Sequence, residues 1–207
     1  MAQFQKGNKV LGFGLGFNSF SNEETANNFT QKRNGTGFNL STELGFATGA
    51  NRLNGFFVSG GFNRTRFENP AQAGSKFKED SYNAGAGFFT RVYKPIGKSF
   101  FVFGDGRAGF NYSEQRVGAT TFNNQKNYSV AAAIYPGIAY KWNQKFLLEL
   151  RLADLLSLNY SHVRTKNGVN NAKSTSNNFG LNSSLGVGYL QNFGIGARWI
   201  LGSNKKS

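Results

Sequence analysis

The feature that most restricts what this chain can fold into is a two-residue alternation of apolar and polar side chains, repeated in eight segments. In LGFGLGF, Leu11, Phe13, Leu15 and Phe17 share one parity, and Gly12, Gly14 and Gly16 the other. Phe38, Leu40, Thr42, Leu44 and Phe46 repeat the pattern against Asn39, Ser41, Glu43 and Gly45. It returns at Phe56–Phe62, Tyr82–Val92, Phe100–Tyr112, Tyr128–Tyr140, Phe146–Tyr160 and Leu185–Trp199. A period of two is the side-chain period of a β-strand, so an all-β chain of eight antiparallel strands is expected.

Where the charges fall decides what kind of β-protein this is. The apolar parities carry one charge, Asp154, whereas the opposite parities carry Glu43, Arg91, Asp105, Arg107, Glu149, Arg151 and Arg198. A soluble barrel turns its apolar faces inward and its charges to water. A Lys or Arg facing lipid at mid-bilayer costs about 2–4 kcal/mol, so a lipid-facing wall is purged of charge. The expected fold is therefore an eight-stranded antiparallel transmembrane β-barrel, with polar side chains filling its interior. No run of about 18 apolar residues offers a membrane helix.

The connections alternate as well. Segments 47–54, 94–98 and 141–145 are short, while 21–34, 67–77, 114–125 and 165–177 are longer and rich in Asn, Gln, Lys, Thr and Gly. This implies short periplasmic turns, longer extracellular loops and one domain over residues 1–207. Aromatic residues cluster at strand ends: Phe46, Phe56, Phe100, Tyr140, Trp142, Phe146 and Trp199 beside the short turns, and Tyr112, Tyr128 and Tyr160 beside the loops. Such girdles mark membrane interfaces. No signal peptide is visible, and the Met-Ala-Gln start is expected to be the stub of a cleaved one.

The formal charge of +14 first suggests a nucleic-acid binder. The basic residues divide into two bands instead. Arg64, Arg66, Lys76, Lys78, Arg116, Lys126, Arg164, Lys166 and Lys173 lie near the long loops, and Arg52, Lys94, Lys98, Lys141, Lys145, Lys205 and Lys206 near the short turns. Two bands separated by an uncharged wall fit anionic head groups or lipopolysaccharide, and no nucleic-acid partner is expected.

Inside the barrel, Glu43, Asp105, Arg107, Glu149, Arg151 and Arg198 are expected to converge as a structural polar network, because unpaired buried charges are costly. Pro136 has no N–H for a ladder and predicts a bulge in the sixth strand. Asp154 is either turned inward by a bulge near Ala153 or is a contact for a partner protein.

Chemistry is thinly represented. His162, the sole histidine, stands beside Ser161, with Asp80 and Glu114 as the rim acids that a hydrolytic triad would need. One such pair in a Ser-rich chain is weak, so no catalytic residue is assigned. The absence of cysteine excludes thiolate sites, and no clustered ligands suggest a metal. The glycines of LGFGLGFNSF open no helix and form no dinucleotide site. No cofactor is expected.

The opening QKGNKVLGFGLGF, the central YSVAAAIYPGIAYKW and the closing NFGIGARWIL resemble the first, sixth and last strands of small outer-membrane barrels related to OmpX and the OmpA membrane domain, in their Bacteroidota versions. The resemblance covers the whole chain. It implies the outer membrane of a Gram-negative bacterium and a non-enzymatic structural or surface-interaction role. Partners would be lipopolysaccharide, a host surface or neighbouring outer-membrane proteins. An accessory subunit of a larger complex, a narrow pore and a lipid A-modifying enzyme are the alternatives.

Overall fold

Hydrocarbon offers no partner for a peptide group, so a chain that crosses it in strands must close its hydrogen-bond ladder on itself. The computed structural model describes residues 4–26, 29–68, 76–117, 124–167, 170, 172–183 and 194–201. Its strands are β1 (Lys9–Ala26), β2 (Phe29–Gly49), β3 (Arg52–Glu68), β4 (Lys76–Pro95), β5 (Phe100–Val117), β6 (Asn124–Lys141), β7 (Phe146–Arg151), β8 (Leu156–Lys166), β9 (Lys173–Asn182) and β10 (Gly194–Leu201). From β1 to β6 each strand pairs antiparallel with the next; β7 pairs with β6 and β10, and β10 returns to β1. The ring is an eight-stranded antiparallel transmembrane barrel. β8 continues the edge of β6 beyond β7, and β9 lies against β8.

The expected parities face outward. Leu15, Phe17 and Phe88 are 63%, 72% and 63% exposed, as side chains on a lipid-facing wall must be. Ring contacts mark both edges of this wall. Phe100 meets Tyr140 at 5.0 Å, and Phe146 meets Trp199 at 6.1 Å, beside the short turns. Phe62 meets Tyr82, and Tyr112 meets Tyr128, at 5.2 Å near the loops. The twelve residue steps from Phe100 to Tyr112 along β5, at about 3.3 Å each and a tilt of about 45°, span roughly 28 Å of hydrocarbon.

In segments 21–34, 67–77, 114–125 and 165–177, expected as loops, the described residues are mostly strand. β1 runs to Ala26 and β2 starts at Phe29, while β4 starts at Lys76 and β5 ends at Val117. Above the membrane both faces of a hairpin meet water, so no apolar alternation marks it. Cross-strand pairs such as Glu23 with Lys32, 3.2 Å apart, and Glu68 with Lys76, 3.3 Å apart, decorate these extensions instead. At the other rim the 47–54 turn narrows to Ala50 and Asn51, where Asn51 takes a left-handed φ of 57°. The upper part of the expected last strand, Leu185–Phe193, lies outside the described residues.

Pro136 does not bulge the sixth strand; β6 is continuous, and the irregularity falls on its neighbour. Pro136 accepts from Leu152 N at 3.0 Å, so its missing N–H lies on that same edge. Between Arg151, opposite Gly137, and Leu156, opposite Ile134, the neighbour carries two more residues than β6. Residues 152–155 break the strand there and divide the seventh stave into β7 and β8, while Leu152 and Leu155 still donate to Pro136 and Ile134 of β6.

The interior is not polar throughout. Toward the short turns, Phe4, Val10, Leu53, Phe89, Tyr93, Phe101, Phe103, Leu147 and Ile200 form a buried apolar layer. The corresponding stretches, FFVF and FLL, are apolar on both parities, the mark of a strand buried on both faces.

Glycines on the inward parity make room for these rings. A Cβ on Gly109 would lie 2.6 Å from the Ala86 carbonyl and 3.0 Å from the Phe57 ring, whereas one on outward Gly60 would meet nothing closer than 3.6 Å. Gly109→Ala is expected to lower stability by about 1–3 kcal/mol through overpacking, and Gly60→Ala to stay within about 0.5 kcal/mol. Urea unfolding in lipid vesicles, followed by the gel-mobility difference between folded and unfolded barrel, measures both.

Candidate functional site

The chemically richest part of the barrel is a layer of charge lying directly on the apolar plug. Register explains its assembly. Gly12 of β1 stands between Glu43 of β2 and Arg198 of β10 at one level, and Arg91 of β4 faces Asp105 of β5. With no side chain at Gly12, Arg198 crosses above β1 and donates to Glu43 through Nη2. A Cβ at Gly12 would lie 3.0 Å from Arg198 Nη1.

Three carboxylates share four guanidinium groups. Arg91 donates to Glu149 through Nη1 and to Asp105 through Nη2, each at 2.5 Å. Arg107 donates to Asp105 through Nε at 2.7 Å and to Glu43 through Nη2. Arg198 donates through Nε to Glu149 at 2.8 Å, and the Tyr93 hydroxyl donates to the same carboxylate. The rings below brace the cations: Arg91 lies 4.7 Å from the Phe103 centroid, Arg107 5.0 Å from Phe57 and Arg198 5.4 Å from Phe89.

All six residues expected in the polar network belong to this layer, but its centre, Arg91, is not among them. Arg91 is 1% exposed and touches all three acids, with Glu43 at 3.8 Å. Its inward parity was readable; its bridging position depends on the cross-barrel register, which no local pattern carries. Arg151 is the peripheral member. Its nearest carboxylate contact is with Asp105 at 3.9 Å, and its side chain is 31% exposed.

Above the layer the lumen opens into a cavity of about 300 Å³, walled by small residues such as Gly14, Gly85, Ala131 and Ala133, and by Asn39, Ser41, Ser59, Asn111 and Tyr135. Arg107 and Arg151 reach this cavity from its floor.

The residues a hydrolytic triad would need are not brought together. His162 and Ser161 are strand neighbours, so they point to opposite faces; Ser161 is buried inside, and His162 lies on the outward parity of Leu158 and Tyr160. Nδ1 of His162 meets the Asn177 side-chain oxygen at 2.8 Å, and Nε2 accepts from Arg164 at 3.1 Å. Asp80 accepts two bonds from Arg64, at 2.7 and 3.0 Å, which hold its carboxyl below the ordinary range. Glu114, likewise above the upper aromatic ring, is held low by Arg116 and Tyr112. Asp154 sits half-buried in the 152–155 break, close enough to inward-facing Tyr135 to interact with it electrostatically.

No protein-family model and no curated protein sequence matches the chain. Among solved structures it is similar to the outer membrane protein OprG from Pseudomonas aeruginosa, with a TM-score of 0.51 and 11% identity over 98% of this chain and 100% of that one. Neisserial surface protein A aligns with a TM-score of 0.39 and 14% identity, covering 95% and 98% of the two chains. A major outer membrane protein from Thermus thermophilus gives 0.44 and 12%, covering 93% and 99%. At these identities the likeness to OprG speaks for a shared barrel fold alone.

Replacing Arg91 by Met takes one guanidinium partner from each of three buried carboxylates and leaves the layer with as many acids as arginines, which is expected to cost about 3 kcal/mol, whereas removing Arg64 from its half-exposed pair with Asp80 should cost no more than about 1 kcal/mol. Equilibrium urea unfolding of the two variants makes the comparison.

Proposed function

We propose that this chain is an integral protein of the outer membrane of a Gram-negative bacterium, of the OmpX and OmpA type found in Bacteroidota. On this reading it is a non-enzymatic barrel that works through its outer surface. The observation that carries the reading is a cationic collar on the wall. The nine basic residues near the long loops, with Lys32, all lie on outward parities above the upper aromatic ring. Glu23, Glu68, Asp80 and Glu114 are the acids of that zone among the described residues, leaving six positive charges. Arg64, Arg116 and Arg164 lie 5.3, 5.8 and 6.0 Å from the centroids of Phe62, Tyr82 and Tyr128, which holds guanidinium groups at head-group height. Phosphate groups of lipopolysaccharide are the natural complement of such a collar. Wild-type barrel should therefore retain lipopolysaccharide through detergent purification, and Arg64→Gln/Arg116→Gln/Arg164→Gln should retain much less at equal fold content; equal retention would sink the reading.

The plug argues against a pore. Charge layer and apolar layer together fill the lumen toward the short turns, so planar-bilayer recordings are expected to show no discrete conductance. Steady single-channel currents would reverse this.

The subunit reading keeps one observation of its own, the break at 152–155. It interrupts the wall and carries Asp154, which would be the contact point for a neighbouring barrel. Gentle extraction from native membranes followed by identification of co-purifying proteins tests it; a lone monomer would count against it.

A further inference from the structure

The vestibule above the charge layer differs in kind from the layer itself. Its wall is uncharged and rich in hydrogen-bonding groups, with Asn39, Ser41, Asn111 and Tyr135 facing in. Its floor is cationic. Four guanidinium groups against three carboxylates leave one positive charge in the layer. Hydrogen-bonding capacity is lopsided in the same sense: about twenty N–H donors face about twelve carboxylate lone-pair sites. Buried Nε of Arg91 and Nη1 of Arg198 have no hydrogen-bond partner among the described residues, against one such carboxylate oxygen in the layer, Oδ1 of Asp105. The surplus is presented at Arg151, which is the layer's most exposed cation and lies 5.2 Å from the Tyr135 ring at the cavity floor.

We propose that this vestibule binds a small polar monoanion, with a carboxylate seated on Arg151 and Arg107 and its polar remainder on the Asn and Ser wall. A planar guanidinium is suited to a carboxylate, which it can hold with two parallel bonds. Glycine and alanine along the wall leave the space, and none of the described lining residues above the floor is charged. Asp154, close enough to Tyr135 to interact with it, is an acid on that side outside the lining. A dianion would overcompensate the single surplus charge and a cation would meet it directly, so the site selects by charge as well as size. The inference rests on the closed-barrel reading, because a conducting lumen would have no floor.

Acetate is the probe. With ¹⁵N-arginine-labelled barrel refolded in micelles, the side-chain Nε–H signals of Arg107 and Arg151 should shift saturably in the millimolar range with sodium acetate, and not with sodium chloride at equal ionic strength. Arg151→Gln should weaken the response of Arg107 about tenfold or more, Arg151→Lys less, and Arg64→Gln on the collar not at all. Ala131→Leu keeps every charge and fills the cup, and should also abolish binding. An unsaturable shift, an equal response to chloride, or undiminished binding in Ala131→Leu would overturn the proposal. Bilayer recordings on the same preparation separate the two readings. Discrete currents would overturn the closed barrel, and a missing acetate response without currents would overturn the vestibule site alone.

Discussion

An eight-stranded ring encloses a space only just wide enough for side chains, so whatever occupies it is fixed by the strands and in turn fixes them. Here the occupants are stacked. Aromatic and aliphatic side chains close the short-turn end, and a sheet of carboxylates and guanidinium groups lies on top of them. The order is physically sensible. The rings supply faces for the cations, and the acids, drawn from β2, β5 and β7, tie together strands that are not neighbours in the ring. Each bond across the lumen therefore opposes any slip in register between distant staves. A slip by one residue would carry the slipping stave's member of such a pair to the lipid face and leave the other unpaired inside.

The outer wall depends on the same arrangement. With charges drawn inward, the outward parity is left to Leu, Phe, Val, Ile and Ala between the aromatic rings. The interruption in the middle of the ladder lies where Pro136 withholds an N–H. The neighbouring stave absorbs the mismatch with two additional residues, and the strand carrying the proline stays straight.

Much of this was legible before any coordinates. Alternation from Leu11 to Phe17 or from Phe38 to Phe46 specifies strand, face and lipid contact at once, because lipid and lumen impose opposite demands on neighbouring residues. Three features were not. The strand extensions beyond the membrane have water on both sides, so Glu23, Arg64 or Lys126 carries no periodic signal. The apolar plug comes from stretches such as FFVF that are apolar on both parities, which alternation alone does not separate from a lipid-facing strand. Arg91 became central through register across the lumen, where residues 58 positions apart meet. Pro136 announced an irregularity correctly, but a strand cannot reveal from its own sequence which partner will yield.

The length of the staves has a consequence for traffic toward the barrel mouth. β2 alone has 21 residues, which at about 3.3 Å each and a tilt of about 45° is a rise of roughly 50 Å, some 20 Å more than the hydrocarbon needs. The opening thus stands off from the head-group plane like a chimney above a roof. A membrane surface crowded with phosphate repels dissolved anions, but at physiological salt that repulsion fades over about 8 Å. A negatively charged solute arriving from the medium meets the chimney top outside the repulsive layer and descends within a wall that shields it from that layer.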